Sequence, residues 1–191
     1  QVSQVLDLME LKGKVGSNIF EETQTMTKIH PFLIGKERKK SLKTISVINP
    51  FTEKPFAEVC LASPVDIEVA IDLACKAFNK TRKLPAYKRS QICIDVARSI
   101  NNRSEEFTRT IALESGKPLI YARNEVARSI STFEIASQEA LRLDGEMLTL
   151  DITESARGKA GLTRRFPIGP IAGISPFNFP LNLVSHKVAP A

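Results

Sequence analysis

The 191-residue sequence holds three cysteines, Cys60, Cys75 and Cys93, widely spaced and with no His or second Cys at metal-ligand spacing. This excludes a disulfide framework and a zinc site, and leaves core thiols as the expectation. No apolar run approaches the ~20 residues of a membrane span. The opening stretch QVSQVLDLMELKGK sets Asp7 and Glu10 among its apolar residues, unlike the basic-then-apolar start of a secretory signal. Internal repeats and low-complexity tracts are absent too. These absences predict a soluble, cytoplasmic protein with no metal and no membrane partner.

Charge of one sign is concentrated rather than spread. Between Lys28 and Lys43 stand Lys28, Lys36, Arg38, Lys39, Lys40 and Lys43 against the single acid Glu37, nearly the whole excess of a chain whose net charge is +6. A basic RNA-binding surface is one reading of that run. No aromatics are interleaved among Lys36, Arg38, Lys39, Lys40 and Lys43 to stack on bases, so a solvated turn between two strands is the better one, and no nucleic-acid partner is expected.

The chain begins with Gln1 and ends with Ala191 directly after Pro190, so both ends read as cut or processed. Residues 1–27 are expected to be an N-terminal extension, with Met26 a possible start and QVLDLMELKGK a possible short helix. Residues 28–144 form a second unit. It opens with the β-runs PFLI, TISVINP and FAEVCLA, whose short connections predict a small antiparallel unit. At Ser63 the period changes: Ser63 offers an N-cap, Pro64 a first helical position and Asp66 a first-turn acid, and Ile67, Ala70, Ile71, Ala74 and Phe78 recur at helical spacing. A second helix follows Pro85, with Ile92, Val96 and Ile100 on one side. A third runs from a Ser104 cap to a Gly116 stop. A fourth spans about Leu119 to Leu143, with Ala122, Val126, Ile130, Phe133 and Ala140 facing one way.

The tail returns to β-structure. EMLTLDI and LTRRFPIG are expected to pair as a hairpin within 145–167, and PIAGIS, within 168–191, is apolar enough for a parallel strand buried on both faces. Such a strand ends where open α/β sheets bind ligands. The turn Ser175-Pro176-Phe177-Asn178-Phe179-Pro180 follows it, and Pro176 and Pro180 stiffen the backbone around Asn178. Its carboxamide could donate to an oxygen that becomes negative during attack on a carbonyl. From spacing alone the commoner role is an Asx-turn that satisfies local backbone.

The segment FPIGPIAGISPFNFPLNLVSHKVAPA resembles the part of the aldehyde dehydrogenase superfamily that carries its oxyanion-hole asparagine. HPFLIG, INPFTEKPFAEV and LESGKPL resemble earlier landmarks of that family in the right order. The resemblance runs from about residue 29 to the end. It implies an α/β fold: the N-terminal strands and helices, an oligomerisation hairpin and the start of a Rossmann-like sheet. It also implies NAD- or NADP-dependent oxidation of a small-molecule aldehyde to an acid through a Cys thioester, in a homo-oligomer. Asn178 matches the family's oxyanion asparagine, and Ile174, Ser175, Pro176 and Phe177 match the turn on the nicotinamide side of the cofactor. Phe177 stands where many members have Trp. Phe179, Asn182, Leu183 and His186 fall at helical spacing along the family's substrate tunnel, and the two polar ones suggest a small hydroxylated or acidic aldehyde, such as a lactaldehyde-like or semialdehyde substrate. Backbone satisfaction is the competing role for Asn182 and His186. The family's nucleophilic Cys, general-base Glu and Gly-rich helix start match nothing in these residues, so the chain alone is expected to be inactive. The alternative is a non-catalytic partner-binding module or a decayed fragment.

Overall fold

The structure is a computed structural model that describes residues 28–191; the expectations for residues 1–27 lie outside the described residues. Strands β1 (Lys28–His30), β4 (Thr44–Asn49) and β5 (Lys54–Cys60) form one sheet in the order β1-β5-β4. β4 and β5 pair antiparallel across a tight turn, with a register shift between Val47 and Ile48. β1 pairs parallel to β5, with Ile29 opposite Glu58, so the unit is mixed rather than wholly antiparallel. The connection from β1 passes through a hairpin and β4 before β5 is reached, which is the long route that a parallel pair requires. That hairpin joins β2 (Phe32–Ile34) to β3 (Glu37–Lys39), placing the basic run on an exposed strand and its turn.

Helix α1 (Pro64–Thr81) begins as its sequence prescribes, with a reciprocal capping box. The Ser63 hydroxyl accepts from the Asp66 N–H, and Oδ2 of Asp66 accepts from the Ser63 N–H at 2.9 Å. Lys39 Nζ donates to the same carboxylate at 2.5 Å, tying β3 to the start of α1. The apolar stripe is a different matter. Ile67 and Ile71 remain exposed, while Ala70 and Phe78 of the same stripe are half-buried.

Helices α2 (Ala86–Asn102), α3 (Ser104–Ser115) and α4 (Leu119–Glu139) hold the core. Ala97, Ile100, Ile111, Ala122, Val126 and Phe133 are buried together, with Cys93, Val96 and Ile130 packed against them. The face of α2 is therefore Cys93–Val96–Ala97–Ile100, and Ile92 lies outside it, exposed. Ile92 and Cys93 are adjacent in a 3.6-residue period, so spacing alone does not separate the two faces. Arg103 serves as C-cap of α2 and N-cap of α3, leaving Ser104 as the first helical residue rather than the cap. Among the thiols, Cys60 is buried and Cys93 half-buried, whereas Cys75 is exposed on α1; the core reading fails for Cys75 because the stripe beside it is uncovered.

Beyond α4 the chain forms a hairpin of β6 (Met147–Thr149) with β7 (Ala160–Leu162), Met147 facing Leu162; β7 shares only Leu162 with the expected partner LTRRFPIG and is otherwise drawn from the link before it. The ladder ends near Thr163, whose N–H donates to the Glu146 carbonyl, so Arg164 to Gly169 run past it. Residues 163–176 adopt no helix or strand, and Ile171 and Ile174 are exposed. The buried parallel strand expected at PIAGIS is thus an extended segment: a ladder needs a neighbour, and no described strand lies beside it. Helix α5 (Asn182–Val188) follows and packs on α4.

The Lys39 ammonium, with the Ser63 hydroxyl and N–H, lowers the Asp66 carboxyl from 3.8 to about 2. A depressed carboxyl pKa adds stability that is complete above the unfolded value, about 4, and is lost as pH falls through the folded one. We expect NMR titration to place the Asp66 midpoint near 2, and acid unfolding of Asp66→Asn to lose its pH dependence between about 4 and 2 relative to the parent. A midpoint at 3.8 or above would contradict the contact.

Candidate active site

The turn that carries Asn178 is positioned by two residues from the helical core. α3 ends at Gly116, whose φ of 66° is the left-handed C-cap conformation that glycine adopts without steric cost. A Cβ at Gly116 would also meet Pro50 Cβ at 3.3 Å. The chain therefore reverses at once into Lys117 and Pro118, the N-cap of α4. Two turns further on, Glu125 points inward from the same helix face as Ala122, Val126 and Ser129, with its side chain 1% exposed.

A carboxylate taken out of water needs partners for both oxygens, and Glu125 has them. Oε2 accepts from Lys117 Nζ at 2.7 Å. Oε1 accepts from the backbone N–H of Leu181 at 3.0 Å and of Asn182 at 3.2 Å. Those N–H groups open helix α5, so a side chain 56 residues earlier satisfies donors that a helix start leaves unpaired. Its negative charge also suits the positive end of the helix. Lys117 Nζ makes a second bond, to the Asn178 carbonyl at 2.6 Å, and lies 3.9 Å from the centroid of the Phe179 ring. Arg128, one turn along α4, stands 6.0 Å from the same ring.

The carboxamide of Asn178 itself is exposed and makes no hydrogen bond among the described residues. The Asx-turn alternative has a chemical obstacle here. That turn requires the N–H two residues on, and the residue there is Pro180, which has none. Asn49 makes the comparison within this chain: its Oδ1 accepts from the Phe51 N–H at 2.9 Å across Pro50. Asn178 is held through its backbone while its amide stays open.

The other site residues separate. Ile174, Ser175, Pro176 and Phe177 lie on the extended approach to the turn, and Phe177 is 91% exposed. Phe179, Asn182, Leu183 and His186 do not share one environment. Asn182 is buried against α4 because its N–H is drawn to Glu125, and its Oδ1 has no partner there, whereas His186 is exposed and Leu183 half-buried. Sequence reasoning missed Lys117, Glu125 and Arg128. The signal for Glu125 was present: a lone acid at helical spacing beside the apolar residues Ala122, Val126, Ile130 and Phe133 implies a buried charge with a partner.

The model of the aldehyde dehydrogenase family matches residues 37–191. A 3-sulfolactaldehyde dehydrogenase of Priestia aryabhattai is 32% identical over 167 residues, 87% of this chain and 35% of that protein. A lactaldehyde dehydrogenase of Methanocaldococcus jannaschii is 37% identical, over 77% of this chain and 30% of its own length. Among solved structures, aldehyde dehydrogenase 21 of Physcomitrella patens, in complex with the reaction product succinate, superposes with a TM-score of 0.83 at 40% identity, covering 87% of this chain and 35% of that one. The chain spans about a third of the length of the relatives it matches.

Replacing Glu125 by Ala leaves the Lys117 ammonium and two N–H groups without their acceptor. Breaking a buried pair from one side costs about 3–5 kcal/mol, and we expect denaturant unfolding of Glu125→Ala to show a loss in that range. A loss under about 1 kcal/mol would mean that the carboxylate is not buried as described.

Proposed function

The chain belongs to the aldehyde dehydrogenase family, and on that premise we propose that it supplies the oxyanion donor of an enzyme that oxidises a small anionic or hydroxylated aldehyde to its acid. The observation that carries this reading is the open carboxamide of Asn178 on a turn whose backbone is fixed by Lys117. When a nucleophile adds to the aldehyde carbon, the carbonyl oxygen takes the negative charge. A neutral amide N–H fixed beforehand stabilises that charge more than it stabilises the aldehyde.

The nucleophile is assigned to neither Cys60 nor Cys93. Burial pushes the Cys93 thiol up and Cys60 is buried in a strand, the reverse of what an activated thiolate needs.

The residues expected beside NAD or NADP fit a group held by main chain. The N–H groups of Ile171, Gly173, Ile174, Ser175 and Phe177 make no hydrogen bond among the described residues, leaving an extended edge rich in donors and acceptors. Ile174, Ser175, Pro176 and Phe177 would line the nicotinamide there, and the cofactor supplies the acceptor for the hydride that leaves the aldehyde carbon. The chain's own part is to orient that surface next to Asn178.

The substrate class rests on charge. Arg128 is exposed, pairs with no acid among the described residues, and overlooks Phe179. A carboxylate or sulfonate at the far end of a short aldehyde would meet its guanidinium, with Phe179, Leu183 and His186 along the way. Buried Asn182 leaves this lining. The names of the sulfolactaldehyde and lactaldehyde relatives, and the succinate held by the Physcomitrella enzyme, point to the same class.

In the complete protein, Asn178→Ala is expected to lower kcat by about 10²–10³, as for the loss of one oxyanion donor. Arg128→Leu is expected to raise KM for succinic semialdehyde by about tenfold or more and to leave hexanal unaffected. An unchanged kcat for Asn178→Ala, with chemistry shown to be rate-limiting, would refute the oxyanion role. A preference for hexanal in the parent would refute the substrate class.

A further inference from the structure

We propose that Lys117 and Glu125 are positioning residues for Asn178: they set where its amide points without touching the aldehyde. This inference rests on the oxyanion reading of Asn178. The observations beneath it are independent of that reading.

The turn is held on both sides of Pro180. Upstream, Lys117 Nζ donates to the Asn178 carbonyl at 2.6 Å. Downstream, Glu125 Oε1 accepts from the Leu181 and Asn182 N–H groups. Glu125 Oε2 and Lys117 close the loop at 2.7 Å, so four hydrogen bonds share one buried ion pair. Pro180 has a fixed φ and no N–H. The Asn178 side chain has no hydrogen bond of its own among the described residues, so the backbone that Lys117 holds sets the position of the Cα–Cβ bond from which its amide extends.

Without the ammonium, the peptide plane between Asn178 and Phe179 is free to rotate about its flanking bonds. The carboxamide moves with it. Oxyanion stabilisation depends on a donor placed within about 3 Å of the developing charge, and a misplacement of about 1 Å can cost about 10²-fold in rate. A pair that only supported the fold would weaken the protein without acting through Asn178. A positioning pair acts through that one side chain.

The test is a double-mutant cycle on kcat in the complete enzyme, with Lys117→Met and Asn178→Ala singly and together. A deuterated aldehyde would confirm that chemistry limits the rate in each variant. We expect Lys117→Met to lower kcat by about 10- to 100-fold with KM for the cofactor unchanged, and to lower it by less than about threefold when Asn178 is already Ala. Lys117→Arg, which keeps a donor, should recover part of the loss. Where Lys117→Met is too unstable to purify, Glu125→Gln, which keeps the side-chain volume and one acceptor, enters the same cycle.

Equal losses in the two backgrounds would overturn the positioning role and leave the oxyanion reading standing on the Asn178→Ala result. No loss from Asn178→Ala alone would overturn that reading and this inference with it.

Discussion

A carboxylate inside a helical core is costly unless every lone pair that faces the protein is met. Glu125 meets that condition with three donors from two places in the chain: the Lys117 ammonium between α3 and α4, and two backbone N–H groups at the start of α5. Because the charge cannot be left unpaired, the start of α5 has one low-energy position on α4. The stretch from Asn178 to Asn182 is therefore located by a buried ion pair rather than by the apolar contacts of a seven-residue helix. Leu181 and Ala189 add hydrophobic contact with the core, which is direction-free and would tolerate a sliding helix. The hydrogen bonds would not.

This arrangement separates support from chemistry. The core of α2, α3 and α4 fixes Lys117 and Glu125, and those two hold a turn on which the Asn178 carboxamide stays exposed. Gly116 belongs to the support as well, because its left-handed cap sends the chain from the end of α3 directly into Lys117. The extended residues 163–176 are different: they belong to no helix or strand, and the N–H groups of Ile171, Gly173 and Ile174 make no hydrogen bond among the described residues. The basic residues Lys117 and Arg128, 3.9 and 6.0 Å from the centroid of the Phe179 ring, give the turn a positive surrounding.

Local features were legible in the sequence where the chain carried its own partner. The capping box of Ser63 and Asp66, the Gly116 stop and the pairing of β4 with β5 across a tight turn all have cause and consequence within a few residues. Features that depend on distant partners were not. The parallel pairing of β1, the uncovered stripe of Ile67 and Ile71, and the absence of a ladder at Ile171 to Ile174 are decided by which elements lie alongside. The site divides in the same way. Asn178 was singled out from its turn and from family landmarks, and the structure shows its carboxamide exposed and without a hydrogen bond among the described residues. Asn182 was placed on a shared face with His186 by helical spacing, yet the demand of Glu125 for its N–H turns it inward. Periodicity describes a helix in isolation and carries no information about a buried acid on its neighbour.

The central claim is that Glu125 holds the beginning of α5. Amide hydrogen exchange in the complete protein reads it directly at Leu181 and Asn182, since N–H groups bonded to a buried carboxylate exchange only when that contact opens. The account expects both amides to be as protected as those of Val126 to Phe133 in α4. It also expects Glu125→Gln, which offers one acceptor where there were two, to accelerate exchange at Leu181 and Asn182 far more than in α4. Rapid exchange at Leu181 and Asn182 in the parent, or equal acceleration at all of these amides in the variant, would contradict it.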